Sequence, residues 1–114
     1  MALLNQLKCT VCQAGDIPLD ETEISEYLKN INNWSAVEEN GKKKITKTYL
    51  FNDYLSGLDF TNQVAHLAES EGHHPSITLD WGKVTITWWT HKINGLHKND
   101  FIMAAKTDLL APAK

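Results

Sequence analysis

Three of the five histidines in this 114-residue chain lie around one predicted β-hairpin. His73 and His74 are adjacent and precede the first strand of that hairpin, and His91 follows its second strand. A histidine side chain has an ordinary pKa of about 6.5, so a cluster can hold one proton donor and one proton acceptor together near neutral pH. The pattern therefore indicates acid–base chemistry at one end of the hairpin.

Two carboxylates are predicted to lie at the same end. Glu69 comes one helical turn before His73, and Asp100 opens the helix that follows His91. Either carboxylate could orient an imidazole through a hydrogen bond, or bind the polar edge of a substrate through paired hydrogen bonds.

Two other interpretations of the histidines stay open. Taken singly, each of them could fill a structural corner between a helix and a strand. Three histidines are also a known zinc ligand set, although adjacent residues of a strand point in different directions and rarely bind one ion together. We expect His66 and His97, which lie outside this cluster, to be structural or solvated.

The elements that position these residues follow from capping signals and periodicity. Asp20 and Glu23 form a capping-box pattern, which predicts a helix from about Glu21 to Asn30. Asn40-Gly41 predicts a two-residue hairpin turn, and a longer helix is predicted from Asp53 to Glu69. A second hairpin and a closing helix complete the order α-β-β-α-β-β-α. This order predicts an α+β fold with two layers, in which helices pack on one face of a four-stranded antiparallel sheet.

The second hairpin allows a prediction of register. If Gly82-Lys83 is a two-residue loop, Trp81 faces Val84, and His74 then faces His91. Directly opposed residues have Cβ atoms about 4.5–5.5 Å apart, so the two imidazoles would share one small site. A four-residue turn would keep the same faces but shift every partner by two. The register places six apolar residues on one face: Ile77, Leu79, Trp81, Val84, Ile86 and Trp88.

Composition restricts the class of protein. An apolar content of 42% in 114 residues is enough for one packed core, so we predict an N-terminal arm at 1–17 and one domain at 18–114. Eleven basic against 14 acidic residues give a net charge of −3, which disfavours nucleic-acid binding. The longest apolar run, Phe101 to Ala105, is too short for a membrane span or a signal peptide. We therefore expect a cytoplasmic protein without a membrane segment.

Both cysteines belong to one Cys-x-x-Cys pair, Cys9 and Cys12, in the predicted arm. One pair lacks the four ligands of a usual structural zinc site, and no strand-like segment precedes it as a thioredoxin-like site would require. A reduced pair without a special role is the favoured interpretation, ahead of metal binding with another chain and of redox use.

The stretch from Glu69 to Asp100 resembles the signature of the pterin-4a-carbinolamine dehydratases. It reads Glu-x3-His-His-Pro, five residues, the aromatic Trp81, nine residues, His91, eight residues and Asp100. The rest of the chain is similar as well, including the Cys-x-x-Cys arm and a Pro-Leu-x-x-x-Glu helix start. Gly72 stands where many members have an acidic residue, and Ile77 where animal members have an aromatic one.

This resemblance implies an enzyme that dehydrates 4a-hydroxytetrahydropterin to quinonoid dihydropterin, in the recycling of the cofactor of aromatic amino acid hydroxylases. Neither a metal nor an organic cofactor is implied, and members form homodimers or homotetramers. The catalytic residues would be His73, His74 and His91. The implied substrate-binding residues are Glu69, Pro75, Thr90, Lys92, Ile93 and Asp100.

Two alternatives from other classes of protein remain. The first is a non-enzymatic dimerisation or partner-binding module that uses the exposed, threonine-rich face of the sheet, which also carries Trp89. The second is a zinc hydrolase, which would retain stoichiometric metal on purification and lose activity with a chelator.

Overall fold

The computed structural model describes residue 4 and residues 17–111 of the chain. The four strands form one antiparallel sheet in the order β1-β2-β4-β3, with the helices against one face, which confirms the predicted α+β fold. No helix in the described part of the chain is long and apolar enough to cross a bilayer. The elements are α1 (Glu21–Leu28), β1 (Ser35–Glu39), β2 (Lys42–Leu50), α2 (Tyr54–Glu71), β3 (Ser76–Asp80), β4 (Lys83–Trp88) and α3 (Lys98–Leu110), with one 3-10 turn at His91–Ile93.

The predicted N-terminal arm, 1–17, lies outside the described residues except at positions 4 and 17. The interpretation of Cys9 and Cys12 therefore stays a prediction. The helix that follows has the predicted capping box: the Glu23 amide donates to the Asp20 carboxylate at 2.8 Å, and the Asp20 amide donates to Glu23 at 3.1 Å. This helix ends at Leu28, two residues earlier than the sequence predicts.

Local sequence signals also determine the next two elements. Asn40 and Gly41 both have positive φ, 52° and 77°, which a two-residue hairpin turn of this type requires. Asp53 caps α2 by accepting from the Ser56 amide at 2.7 Å. The helix ends at Gly72, whose φ of 66° lies in the left-handed region that terminates helices. His73 therefore leaves the helix at a defined angle.

The apolar core lies between the sheet and the helices. Val84, Ile86 and Trp88 are fully buried on one face of β4, as predicted. Here α2 approaches the sheet closely, because a Cβ atom added at Gly57 would lie 3.1 Å from Leu79 Cδ1. A side chain at position 57 would require Leu79 and Val84 to shift by a few tenths of an ångström.

The register of the second hairpin differs from the prediction. Asp80 pairs with Lys83, so the two loop residues are Trp81 and Gly82 rather than Gly82 and Lys83. The shift puts Gly82, with φ of 78°, at the second loop position and places opposite charges directly across the strands. Parity is preserved, so the other five apolar residues keep their shared face. Trp81, however, lies in the turn with 73% of its surface exposed, and the predicted facing of Trp81 with Val84 is wrong.

The same shift removes the predicted opposition of His74 and His91. Strand β3 begins only at Ser76, and β4 ends at Trp88. After β4 the chain forms an isolated bridge between Thr90 and Gly95 and a 3-10 turn between them. His91 thus lies on that turn and not across from His74 in a ladder.

Candidate functional site

Asp100, in the first turn of α3, is the centre of a buried hydrogen-bond network. Its carboxylate is fully buried. One oxygen lies 2.6 Å from His73 Nε2; the other accepts from the Thr90 hydroxyl at 2.8 Å and from the His97 amide at 2.9 Å. A buried carboxylate is costly unless it is paired and hydrogen-bonded, and here three groups stabilise it. The N-terminus of the helix dipole also favours a negative charge at this position.

His73 is held on two sides. Its ring lies nearly parallel to the indole of the buried Trp88, with 5.6 Å between ring centroids and 8° between planes. Its side chain is 13% exposed. A carboxylate at this pair's distance accepts a hydrogen bond, so a proton belongs on Nε2 and Nδ1 is the nitrogen that can exchange a proton with a ligand. We assign this tautomer from the hydrogen-bond partner.

His74 forms a second imidazole–carboxylate pair, with Glu69 from the last turn of α2. The two side chains are again 2.6 Å apart between His74 Nε2 and Glu69 Oε1, but they are 60% and 79% exposed. An exposed pair is screened by water and salt and contributes at most about 1 kcal/mol. The two adjacent histidines therefore have the same type of partner in very different environments.

His91 has an aromatic neighbour instead of a carboxylate. Its exposed ring is tilted against the Trp89 ring at a centroid distance of 4.4 Å, and the Lys44 ammonium lies 4.1 Å above the same indole. In the described part of the chain, no hydrogen bond or ring contact joins His91 to His73 or His74.

Of the remaining predicted binding residues, Thr90 belongs to this network, and the others are neighbours of its histidines or of His91 in the chain. Thr90 is 3% exposed, and its amide donates to the Gly95 carbonyl at 2.8 Å. Pro75 directly follows the paired histidines, and Lys92 and Ile93 belong to the 3-10 turn with His91. Their roles in substrate binding stay predictions, since the structure contains the protein chain alone.

His97 is the N-cap residue of α3, which agrees with the expectation that it is structural. Its imidazole Nδ1 accepts from the Asn99 amide at 3.1 Å, and its own amide donates to Asp100, which completes a capping box on α3. Ser and Thr are the usual residues at such a cap, and here an imidazole nitrogen takes the place of their hydroxyl oxygen.

The zinc interpretation requires ligands that converge on one point. Among residues 17–111, no group of three or more histidine, cysteine or acidic side chains is placed to hold a metal ion. Nε2 of both His73 and His74 faces a carboxylate instead. The three histidines thus do not form a three-histidine zinc set in this structure.

The chain is similar to proteins that share one family description. Residues 17–110 match the family model described as pterin 4 alpha carbinolamine dehydratase. A candidate pterin-4-alpha-carbinolamine dehydratase of Marinobacter nauticus is 46% identical over 110 residues, covering 96% of this chain and 99% of the relative. One from Saccharophagus degradans is 49% identical over 112 residues, covering 96% and 97%.

Two solved structures share the fold. A transcriptional coactivator/pterin dehydratase from Brucella melitensis superposes with a TM-score of 0.76 at 33% identity, covering 83% of this chain and 99% of its own. A pterin dehydratase-like protein, described as a RuBisCO assembly factor in the alpha-carboxysome, gives a TM-score of 0.61 at 25% identity, covering 73% and 94%.

Proposed function

Because this chain belongs to the pterin 4 alpha carbinolamine dehydratase family, we propose that it dehydrates 4a-hydroxytetrahydropterin to quinonoid dihydropterin and water. The substrate would be the hydroxylated form of the tetrahydropterin that aromatic amino acid hydroxylases release. The observation that carries this proposal is the pairing of His73, a histidine of the family signature, with the buried carboxylate of Asp100.

The reaction needs the movement of two protons. The C4a–O bond breaks while the lone pair of the adjacent ring nitrogen forms a C=N double bond. An imidazolium gives its proton to the departing oxygen, which leaves as water, and a neutral imidazole or a water molecule takes the ring N–H proton. Each such transfer contributes about 10² to 10⁴ in rate. The donor and acceptor imidazoles end in exchanged protonation states, and exchange with solvent resets them.

We assign the proton transfers to His73, His74 and His91. In His73 the bond to Asp100 leaves Nδ1 as the exchanging atom, and the bond from His74 to Glu69 does the same for its ring. His91 is exposed and packs against Trp89, which holds its ring without using either ring nitrogen. Because the three imidazoles lie in three different environments, we assign to them both the proton donor and the proton acceptor of the reaction.

The carboxylates have different roles in this proposal. Both oxygens of Asp100 already accept hydrogen bonds from protein groups and the residue is fully buried, which favours orientation of His73 over contact with substrate. Glu69 is largely exposed and could both orient His74 and bind the substrate. Pro75 and the 3-10 turn with Lys92 and Ile93 would enclose the pterin.

A homodimer or homotetramer is the proposed assembly. Several large apolar side chains of the described residues are exposed, and exposed apolar residues that form one patch favour packing against a partner. Sedimentation velocity should give a dimeric or tetrameric mass, and a monomer at micromolar concentration would reject the assembly. The exposed residues are Leu50, Tyr54, Leu55, Leu58, Trp81 and Leu109.

A partner-binding module without enzyme activity is the second candidate. It is favoured by the roles of the two solved relatives, one described as a transcriptional coactivator/pterin dehydratase and the other as a RuBisCO assembly factor. This candidate predicts that the purified chain does not alter the lifetime of the carbinolamine.

A stopped-flow assay separates these candidates. We expect the purified chain to accelerate the absorbance change of 4a-hydroxytetrahydropterin decay equally with and without a chelator. His91→Ala should lower turnover at least about tenfold with little change in thermal stability. His66→Ala, an exposed histidine on the same domain, is the matched control and should retain full turnover. Decay at the uncatalysed rate would reject the enzyme, and loss of activity with chelator would restore the metal interpretation.

A further inference from the structure

Thr90 is placed to act on the reaction without touching the substrate. We propose that Thr90 is a positioning residue: its buried hydroxyl holds the second oxygen of Asp100, so that the first oxygen stays aligned with His73. This inference rests on the proposed function for its kinetic effect. It revises the role that the family resemblance implies for Thr90, which is contact with the pterin.

The polar groups of Thr90 all have partners inside the protein. The hydroxyl donates to Asp100 Oδ2 at 2.8 Å, and the amide donates to the Gly95 carbonyl at 2.8 Å. The carbonyl accepts from the amides of Ile93 and Gly95, both at 3.4 Å. With 3% of its surface exposed, the side chain has no surface to offer a ligand.

The geometry of the carboxylate explains why this hydroxyl matters. Oδ2 of Asp100 has two donors, one from the backbone of His97 and one from the side chain of Thr90. These two bonds fix the rotation of the carboxylate plane, and that rotation determines where Oδ1 meets His73 Nε2. Without the hydroxyl, the carboxylate can turn and the imidazole loses its fixed tautomer and direction. A displacement of about 1 Å in a catalytic group can cost about 100-fold in rate.

Thr90→Val tests this role because valine keeps the shape and removes the hydroxyl. We expect kcat to fall about tenfold to a hundredfold with KM changed less than about twofold. Thr90→Ser restores a hydroxyl and should recover most of kcat. The matched control is Thr87→Val in β4, since the Thr87 hydroxyl bonds to the Thr46 hydroxyl at 3.0 Å and not to Asp100.

A spectroscopic readout separates this inference from the proposed function. Nitrogen-15 spectra of the His73 side chain should show a single tautomer with the proton on Nε2 in the wild type and in Thr87→Val, and a mixture of tautomers in Thr90→Val. This result would stand even if the wild type did not dehydrate the carbinolamine. An unchanged His73 spectrum in Thr90→Val, or a rise in KM with kcat unchanged, would overturn the positioning role. If Thr90→Val does not fold, Thr90→Ala gives the same comparison.

Discussion

Two aspartates of α3 each accept hydrogen bonds from three groups, but they lie at opposite ends of the helix and have different partners. Asp100 holds His73, Thr90 and the His97 amide. Asp108 accepts from the Trp34 indole at 3.2 Å, from the Lys47 ammonium at 2.8 Å and from the Tyr49 hydroxyl. We propose that the first of these two similar carboxylate networks serves proton transfer and that the second anchors the helix.

The helix dipole contributes to the difference. A carboxylate is stabilised at the N-terminus of a helix, where Asp100 lies, and destabilised near the C-terminus, where Asp108 lies. Asp108 therefore needs a cation, and Lys47 supplies it. Asp100 has its charge stabilised by the helix itself, so an imidazole that can lose or gain a proton is sufficient as its partner.

The hydrogen-bond partners of the two aspartates also differ in whether they can exchange a proton. Burial, and next the hydrogen bond and negative charge of Asp108, raise the pKa of Tyr49 above its ordinary value. Tyr49 thus keeps its proton at neutral pH, and its hydrogen bond to Asp108 ties β2 to α3. At Asp100, by contrast, the imidazole of His73 has a second nitrogen that is available for proton exchange. We therefore infer that the identity of the donor, rather than the carboxylate, determines whether such a network can transfer a proton.

The largest expected effect is on turnover, from Asp100→Asn. The amide keeps the shape but loses the charge and half of the acceptors, so His73 is no longer fixed with its proton on Nε2. We expect kcat to fall about 100-fold or more in the stopped-flow assay. If Asp100→Asn keeps more than a tenth of wild-type turnover, the two aspartates do not differ in their importance for the reaction as we propose.

Asp108→Asn is the matched variant at the other end of the helix. Removing a charged acceptor from three donors should lower the free energy of unfolding by about 2 kcal/mol, measured by urea denaturation. Turnover should stay within about twofold of the wild type at a temperature where both are folded. A large loss of kcat with unchanged stability would show that the anchor also takes part in the reaction.

Tyr49→Phe tests the anchor at Asp108 through the pH dependence of stability. An unfolded tyrosine ionises at about pH 10, whereas Tyr49 in the folded protein has a raised pKa. Its contribution to stability is therefore complete below about pH 10 and is lost as the pH rises further. The free energy of unfolding of the wild type should exceed that of Tyr49→Phe by about 1 kcal/mol at pH 8, and this difference should be smaller at pH 11. A difference that does not depend on pH would contradict the assignment.

Glu69→Gln should give the smallest change, because the pair of Glu69 with His74 is exposed. We expect less than about 0.5 kcal/mol in the free energy of unfolding, and that effect should vanish in 1 M salt. In 1 M salt, Asp100→Asn should keep its full effect on the free energy of unfolding, because salt screens a buried pair very little. If salt changes the effects of both variants on the free energy of unfolding equally, burial does not explain the difference between the two pairs.

Local signals allowed much of the fold to be predicted from the sequence. The capping box of Asp20 and Glu23 and the turn at Asn40-Gly41 are each determined by a few neighbouring residues, and the structure confirms them. The loop of the second hairpin was misplaced by one residue, because Gly82 can occupy either loop position and only strand pairing decides between them. That single step changed the register by two and moved Trp81 to the surface.

The sequence predicted the residue types of the candidate site and the hydrogen bonding of its carboxylates to imidazoles, but not which residues pair. The histidines and carboxylates followed from spacing, whereas the pairing of His73 with Asp100 joins residues from two helix ends and depends on tertiary packing. The position of His91 was missed because the chain leaves the ladder after Trp88 and forms a 3-10 turn closed by Asn94, with φ of 52°. The anchor at Asp108 gave no local signal, since its three donors come from distant segments of the chain.

We propose that His73, His74 and His91 surround one bound pterin. Nuclear magnetic resonance of the five imidazoles during titration with 7,8-dihydropterin, a tautomer of the product, tests it most directly. We predict that the resonances of these three histidines shift together with one dissociation constant, while His66 is unaffected. Binding that shifts His73 but leaves His91 unchanged, or that shifts none of the three, would contradict the claim.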